Sequence, residues 1–162
     1  DLNTSQPKPS PSNLLYSNFA WNTHSQRENT FQFFLKEAWT TSLKVEEWLK
    51  YPITRLEYTE AVRSHLFNLC PIGKCIDTFR LWESLYLKTI PVVEDHPQMR
   101  AFCDLPILFV DKFTSLTKEF LLSEYEKMLG TDYNLEKLQA DYWRRHILTG
   151  VKPPVKDLLA LG

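Results

Sequence analysis

The sequence predicts an α/β fold with a mostly parallel sheet flanked by helices. Three observations lead there. Short apolar runs alternate with longer amphipathic segments along the chain, the pattern of strands alternating with helices. Residues 67–93 read as strand, Pro/Gly turn, helix, strand, and a helix of about a dozen residues between two apolar strands makes a right-handed crossover in a parallel sheet. The chain has 162 residues, 43% hydrophobic and 24% charged, which suits one soluble domain able to bury a sizeable core.

The elements follow in order. Residues 1–12 hold Pro7, Pro9 and Pro11 among Ser, Asn and Gln, the composition of a flexible tail or linker. Residues 14–19 are the first strand. A loop and helix start cover 22–27, where Ser25 and Glu28 have capping-box spacing and Phe31, Phe34 and Leu35 form the core face. A short strand at 39–41 and a short helix at 45–50, stopped by Pro52, come next. A further helix is expected over 56–65, with Tyr58, Val62 and Leu66 at helical spacing. The apolar run 66–69 suits a buried strand ended by Pro71 and Gly73.

Asp77 or Thr78 offers an oxygen to cap the next helix. From 79 to 87 that helix is apolar on most sides, Thr89 ends it, and 90–93 is the following strand. A helical turn at 98–102 and a strand at 107–110 lead to a helix capped by Thr114 or Ser115 and stopped by Gly130. A last helix is expected over 134–148. The domain then spans 13–150, between the linker 1–12 and a C-terminal tail, 151–162.

Composition excludes some function classes. A net charge of −1 offers no electrostatic case for nucleic acid or an anionic membrane surface. The three cysteines, Cys70, Cys75 and Cys103, give neither a disulfide framework nor zinc-ligand spacing. Their use favours a reducing compartment such as the cytoplasm. There is no apolar run near the roughly 18 residues that a membrane span needs. The start at Asp1, without methionine, is that expected of a fragment or processed product. An upstream anchor in the parent would allow a Golgi-lumen location.

The candidate site lies in the turn and first helical turns after residue 69. Gly73, Lys74, Asp77, Arg80 and Glu83 stand in an otherwise apolar segment, and a helix does not need such a cluster to fold. At roughly 100° per residue, Asp77, Arg80, Glu83, Ser84 and Leu87 share one stripe. The N-terminal end of that stripe sits at the carboxyl edge of the sheet, where open α/β sheets bind ligands and helix starts bind phosphate. The plainer alternative makes Asp77 a cap and pairs Arg80 with Glu83 on the helix surface, worth a few tenths of a kcal/mol.

Asn18, Asn22, Thr23 and Arg27 follow the first strand onto the same edge, either as ligand contacts or as turn chemistry. Glu94, Asp95 and His96 follow the strand at 90–93 onto it as well. Glu57 and Glu60 are read as structural, and the aromatic-basic group 142–146 as packing.

The segment resembles the exostosin-like glycosyltransferases. Pro71, Gly73, Asp77, Arg80, Trp82, Glu83, Leu85 and the run Ile90, Pro91, Val92, Val93 match that family's pattern. Residues 105–111 and 116–120 are similar to a second stretch of it, and the likeness extends over 13–150. Three positions depart: Ile72 replaces an arginine, Cys75 a loop glycine, and Lys88 the glycine before the Ile-Pro pair.

The resemblance implies one Rossmann-like half of a two-domain GT-B enzyme, the half that holds a nucleotide diphosphate sugar. Arg80 would meet the diphosphate and Glu83 the ribose or sugar hydroxyls, with Lys74, Asp77, Gly73, Asn22 and Thr23 around them. It further implies a second Rossmann-like half, a glycan or other hydroxyl acceptor, and no metal. No Asp-x-Asp occurs in the sequence, and 162 residues leave no room for both halves. A catalytic base is not identifiable. The alternative is a noncatalytic binding or assembly module that retains the fold.

Overall fold

A computed structural model describes residues 13–42 and 53–150. Five short strands, β1 (Leu15–Tyr16), β2 (Thr40–Thr41), β3 (Phe67–Leu69), β4 (Ile90–Glu94) and β5 (Leu108–Val110), pair in parallel throughout, in the order β2-β1-β3-β4-β5. The helices are α1 (Ser25–Phe34), α2 (Arg55–Arg63), α3 (Phe79–Tyr86), α4 (Lys118–Leu129) and α5 (Ala140–Thr149). The α/β architecture with a parallel sheet is therefore as the sequence pattern predicts. The expected helix at 45–50 and the two tails lie outside the described residues.

Register decides which side of each strand is buried against what. Leu15 pairs with Phe67, and Tyr16 with Asn68, so the period of two puts these pairs on opposite faces. On the first face Leu15, Phe67, Leu69, Val92 and Leu108 join Phe31 and Phe34 of α1 and Leu121 of α4 in one apolar cluster. On the second, Val93 packs with Leu81 and Leu85 of α3 and with Leu138. The β1–β3 part of that second face carries Tyr16 and Asn68 instead. Polar side chains there, under two helices, set up the site described below.

Several caps sit elsewhere than the sequence suggests. His24, not Ser25, caps α1, its Nδ1 accepting from the backbone N–H of Gln26. The capping box forms at Thr54 and Glu57, at the start of α2. Thr117 rather than Thr114 or Ser115 caps α4, accepting from Phe120 N–H. The last helix is broken at Gln139, whose backbone is extended, into a 3-10 turn (Leu135–Leu138) and α5. Propensity carries 134–148 straight through, but the indole N–H of Trp143 donates to Lys137 O at 2.8 Å and folds the two pieces together.

Helix α3 ends at Tyr86, earlier than Thr89. Thr89 is buried instead, donating to Val62 O at 2.8 Å. Between them Lys88 has a φ of 62°, the left-handed conformation that favours glycine. It is also the position where the family pattern has glycine. Lys88→Gly is expected to raise stability by up to about 1 kcal/mol, the left-handed cost of about 1–2 kcal/mol offset in part by glycine's greater freedom when unfolded. A lower melting temperature for Lys88→Gly would refute this.

Candidate functional site

Strand order reverses at β1, which has β2 on one side and β3 on the other. The β1–α1 and β3–α3 connections therefore lie side by side at the carboxyl edge, the place where doubly wound sheets bind ligands. One side chain ties the two connections together. Arg27, in the first turns of α1, donates from Nη1 to Ala20 O at 2.9 Å, from Nη2 to Pro71 O at 2.7 Å and from Nε to Ile72 O at 2.8 Å. Its guanidinium is buried, and burial together with the nearby Arg80 charge lowers its pKa, although an arginine stays protonated. All three of these contacts are loop chemistry, and they leave the charge of Arg27 without a carboxylate partner among the described residues.

Gly73 follows from that. A β-carbon on it would lie 2.9 Å from Arg27 Nη2, and that nitrogen is fixed by its carbonyl. Glycine here makes room for the guanidinium. Lys74 and Asp77 are exposed on the same loop. Asp77 stands one residue before Thr78, the N-cap of α3, but no side chain caps that helix. The Thr78 hydroxyl is buried without a hydrogen-bond partner, so the helix start keeps free N–H groups.

Arg80 and Glu83 do not pair with each other. The Arg80 guanidinium lies 5.3 Å from the centre of the Tyr58 ring, and its Nη1 donates to Asn68 Oδ1 at 3.4 Å. Glu83 Oε1 instead meets Arg55 Nη1, at the start of α2, at 2.9 Å. Tyr58 is half-buried, with its hydroxyl out of solvent and unbonded, and desolvation raises its pKa, with Arg80 opposing and Glu83 adding to the shift. Cys70 lies in the same region. Burial pushes its thiol up to about 12, so it remains a protonated, inert thiol.

Asn22 and Thr23 sit across the edge in a 3-10 turn (Trp21–Thr23) and line an open depression with Trp21, His24, Ser25 and Glu28. Thr23 Oγ1 donates back to Ala20 O at 3.3 Å, which is turn chemistry. Asn18 is buried, its Nδ2 donating to the Tyr16 hydroxyl at 3.1 Å while Oδ1 has no partner. The acidic and imidazole groups after β4 serve the local fold: Glu94 accepts from Phe113 N–H, Asp95 pairs with Arg100, and His96 accepts from Gln98 N–H.

Sequence reasoning missed Tyr58, Asn68 and Arg55. A signal existed for Asn68, which is a polar residue between Phe67 and Leu69 in a strand otherwise wholly apolar. None existed for Tyr58, since an aromatic on a helical stripe reads as ordinary core.

With that geometry in place, residues 3–140 match the family described as the RXYLT1 C-terminal domain. No curated protein matches the chain. Among the described residues, no helix is long and apolar enough to cross a membrane.

Proposed function

The chain belongs to the RXYLT1 C-terminal domain family, an exostosin-like glycosyltransferase family, and from that premise we propose that it is the donor-binding half of a glycosyltransferase. In this reading a nucleotide diphosphate sugar lies at the carboxyl edge, with its diphosphate against the start of α3. The observation that carries it is a pair of guanidiniums on the two adjoining connections, Arg27 and Arg80, with the Arg80 charge near enough to help lower the Arg27 pKa. Among the described residues neither has a carboxylate partner. Two unneutralised cations beside free helix N–H groups form a place for an anion.

The chemistry follows from what leaves. The bond between the sugar carbon and the diphosphate oxygen breaks, and the diphosphate departs with the electron pair. Arg80, Lys74 and the helix start then stabilise charge where it develops, in place of a metal. Glu83, held by Arg55, faces ribose or sugar hydroxyls. The acceptor hydroxyl, the base that takes its proton and the second Rossmann-like half of a GT-B pair lie outside this chain.

Calorimetric titration with UDP and GDP, and with uridine and guanosine, tests the reading. Arg80→Ala should weaken the preferred diphosphate about tenfold or more, since a charge-assisted contact contributes about 1.5–3 kcal/mol, and leave the nucleoside unchanged. Equal loss for both would place Arg80 in folding, and no loss for either would remove it from the site. The second reading, a noncatalytic module that keeps the fold, draws on Ile72, which replaces an arginine of the family pattern. Failure of every nucleoside diphosphate to bind the folded protein would select it.

A further inference from the structure

We propose that Tyr58 and Asn68 are positioning residues that aim the Arg80 guanidinium at the ligand phosphate. This rests on the donor-binding reading above and adds to it how the cation is held. Arginine is a long side chain with many rotamers, and a phosphate contact gains most when the guanidinium is already in place. Two contacts restrict Arg80. The Tyr58 ring lies beneath its guanidinium carbon, and Asn68 Oδ1 accepts from Nη1.

Asn68 is itself locked. It is fully buried in β3, and its Nδ2 donates to Ser84 Oγ at 2.8 Å. Ser84 Oγ in turn donates to the backbone oxygen of Arg80 at 2.6 Å. Because the serine hydrogen is committed to that carbonyl, its oxygen must accept from the amide. The amide therefore has one orientation, with Oδ1 toward the guanidinium. The closed ring Asn68–Ser84–Arg80 links strand and helix one turn below the carboxyl edge.

Tyr58 completes the arrangement from the other side. It comes from α2, whose start is fixed by the Thr54–Glu57 capping box and by the Arg55–Glu83 ion pair. Its hydroxyl bonds nothing, so the aromatic face is the part that Arg80 uses. Among the described residues only one hydrogen bond is drawn from the five N–H donors of Arg80. The ring and the amide hold the group on one side and leave donors for a phosphate.

The test compares UDP and uridine binding to the wild-type chain and to Tyr58→Leu, Tyr58→Phe, Asn68→Leu and Arg80→Ala. NMR of the Arg80 Nε–H reports the order of the side chain without nucleotide. Tyr58→Leu is expected to weaken UDP about tenfold, in the range of a desolvated cation–π contact, and to leave uridine unchanged. Tyr58→Phe should bind as wild type. Asn68→Leu should behave like Tyr58→Leu, and both should loosen the Arg80 resonance.

The positioning role is overturned, with the donor reading intact, if Arg80→Ala loses UDP while Tyr58→Leu and Asn68→Leu keep both affinity and Arg80 order. It is also overturned if Tyr58→Phe loses as much as Tyr58→Leu. Failure of Arg80→Ala itself to weaken UDP removes the donor reading and this inference with it.

Discussion

Arg27→Ala should destabilise the protein by about 3–5 kcal/mol, the loss of two or three charge-assisted hydrogen bonds less what water recovers. Arg27 bonds Ala20 O, Pro71 O and Ile72 O from a buried position. Without it two loops lose their common tie and three carbonyls lose their donor. That is a large share of the roughly 5–15 kcal/mol by which a domain is stable. Arg27→Lys should recover little, because an ammonium on a flexible stem does not reproduce a three-way fork.

Urea denaturation of the variants measures the loss, and a cost below about 1 kcal/mol would demote Arg27 to an ordinary surface residue. A double-mutant cycle sharpens the point. Gly73→Ala alone should cost about 1–3 kcal/mol through crowding of Nη2. In the Arg27→Ala background it should cost almost nothing.

Asp104→Ala is the second large effect. Lys137 is 4% exposed, and its ammonium meets Asp104 Oδ1 at 2.7 Å and Ala101 O at 3.0 Å. Removing the carboxylate leaves a buried cation with one neutral partner, at a cost of about 3–5 kcal/mol. The pair ties the 3-10 turn before α5 to the β4–β5 connection, so the loss should appear as early melting of that end. Replacing both residues at once, Asp104→Leu with Lys137→Met, should restore most of the stability, because no charge is then stranded. Equal loss in the single and double variants, by thermal melting, would show that packing rather than charge holds this corner.

Much of the fold was legible because it depends on local patterns. The short apolar run 66–69 identifies Phe67 and Leu69 as strand, and the Pro71 and Gly73 pair marks its exit. The amphipathic stripe from Asp77 to Leu87 marks the next helix and its polar side. Arg80 and Glu83 stand out for the same reason, as charges where packing asks for none. Helix ends were less legible. Ser25 and Glu28 have the right spacing for a capping box, but His24 reached Gln26 first, and the box formed at Thr54 and Glu57.

What the sequence determined by itself is therefore the class of fold, the order of most elements and the edge at which charged groups gather. These follow from periods of two and about 3.6 residues and from turn chemistry, which act over a few positions. Tertiary structure alone decided the partners. Arg27 meets Pro71 and Ile72 across more than forty residues, Glu83 turns to Arg55 rather than Arg80, and Arg80 settles between Tyr58 and Asn68. A charge on a helix face has several neighbours in reach, and local pattern cannot rank them. The choice is made when sheet order and helix packing bring distant residues together, and burial raises the cost of leaving a charge without polar partners.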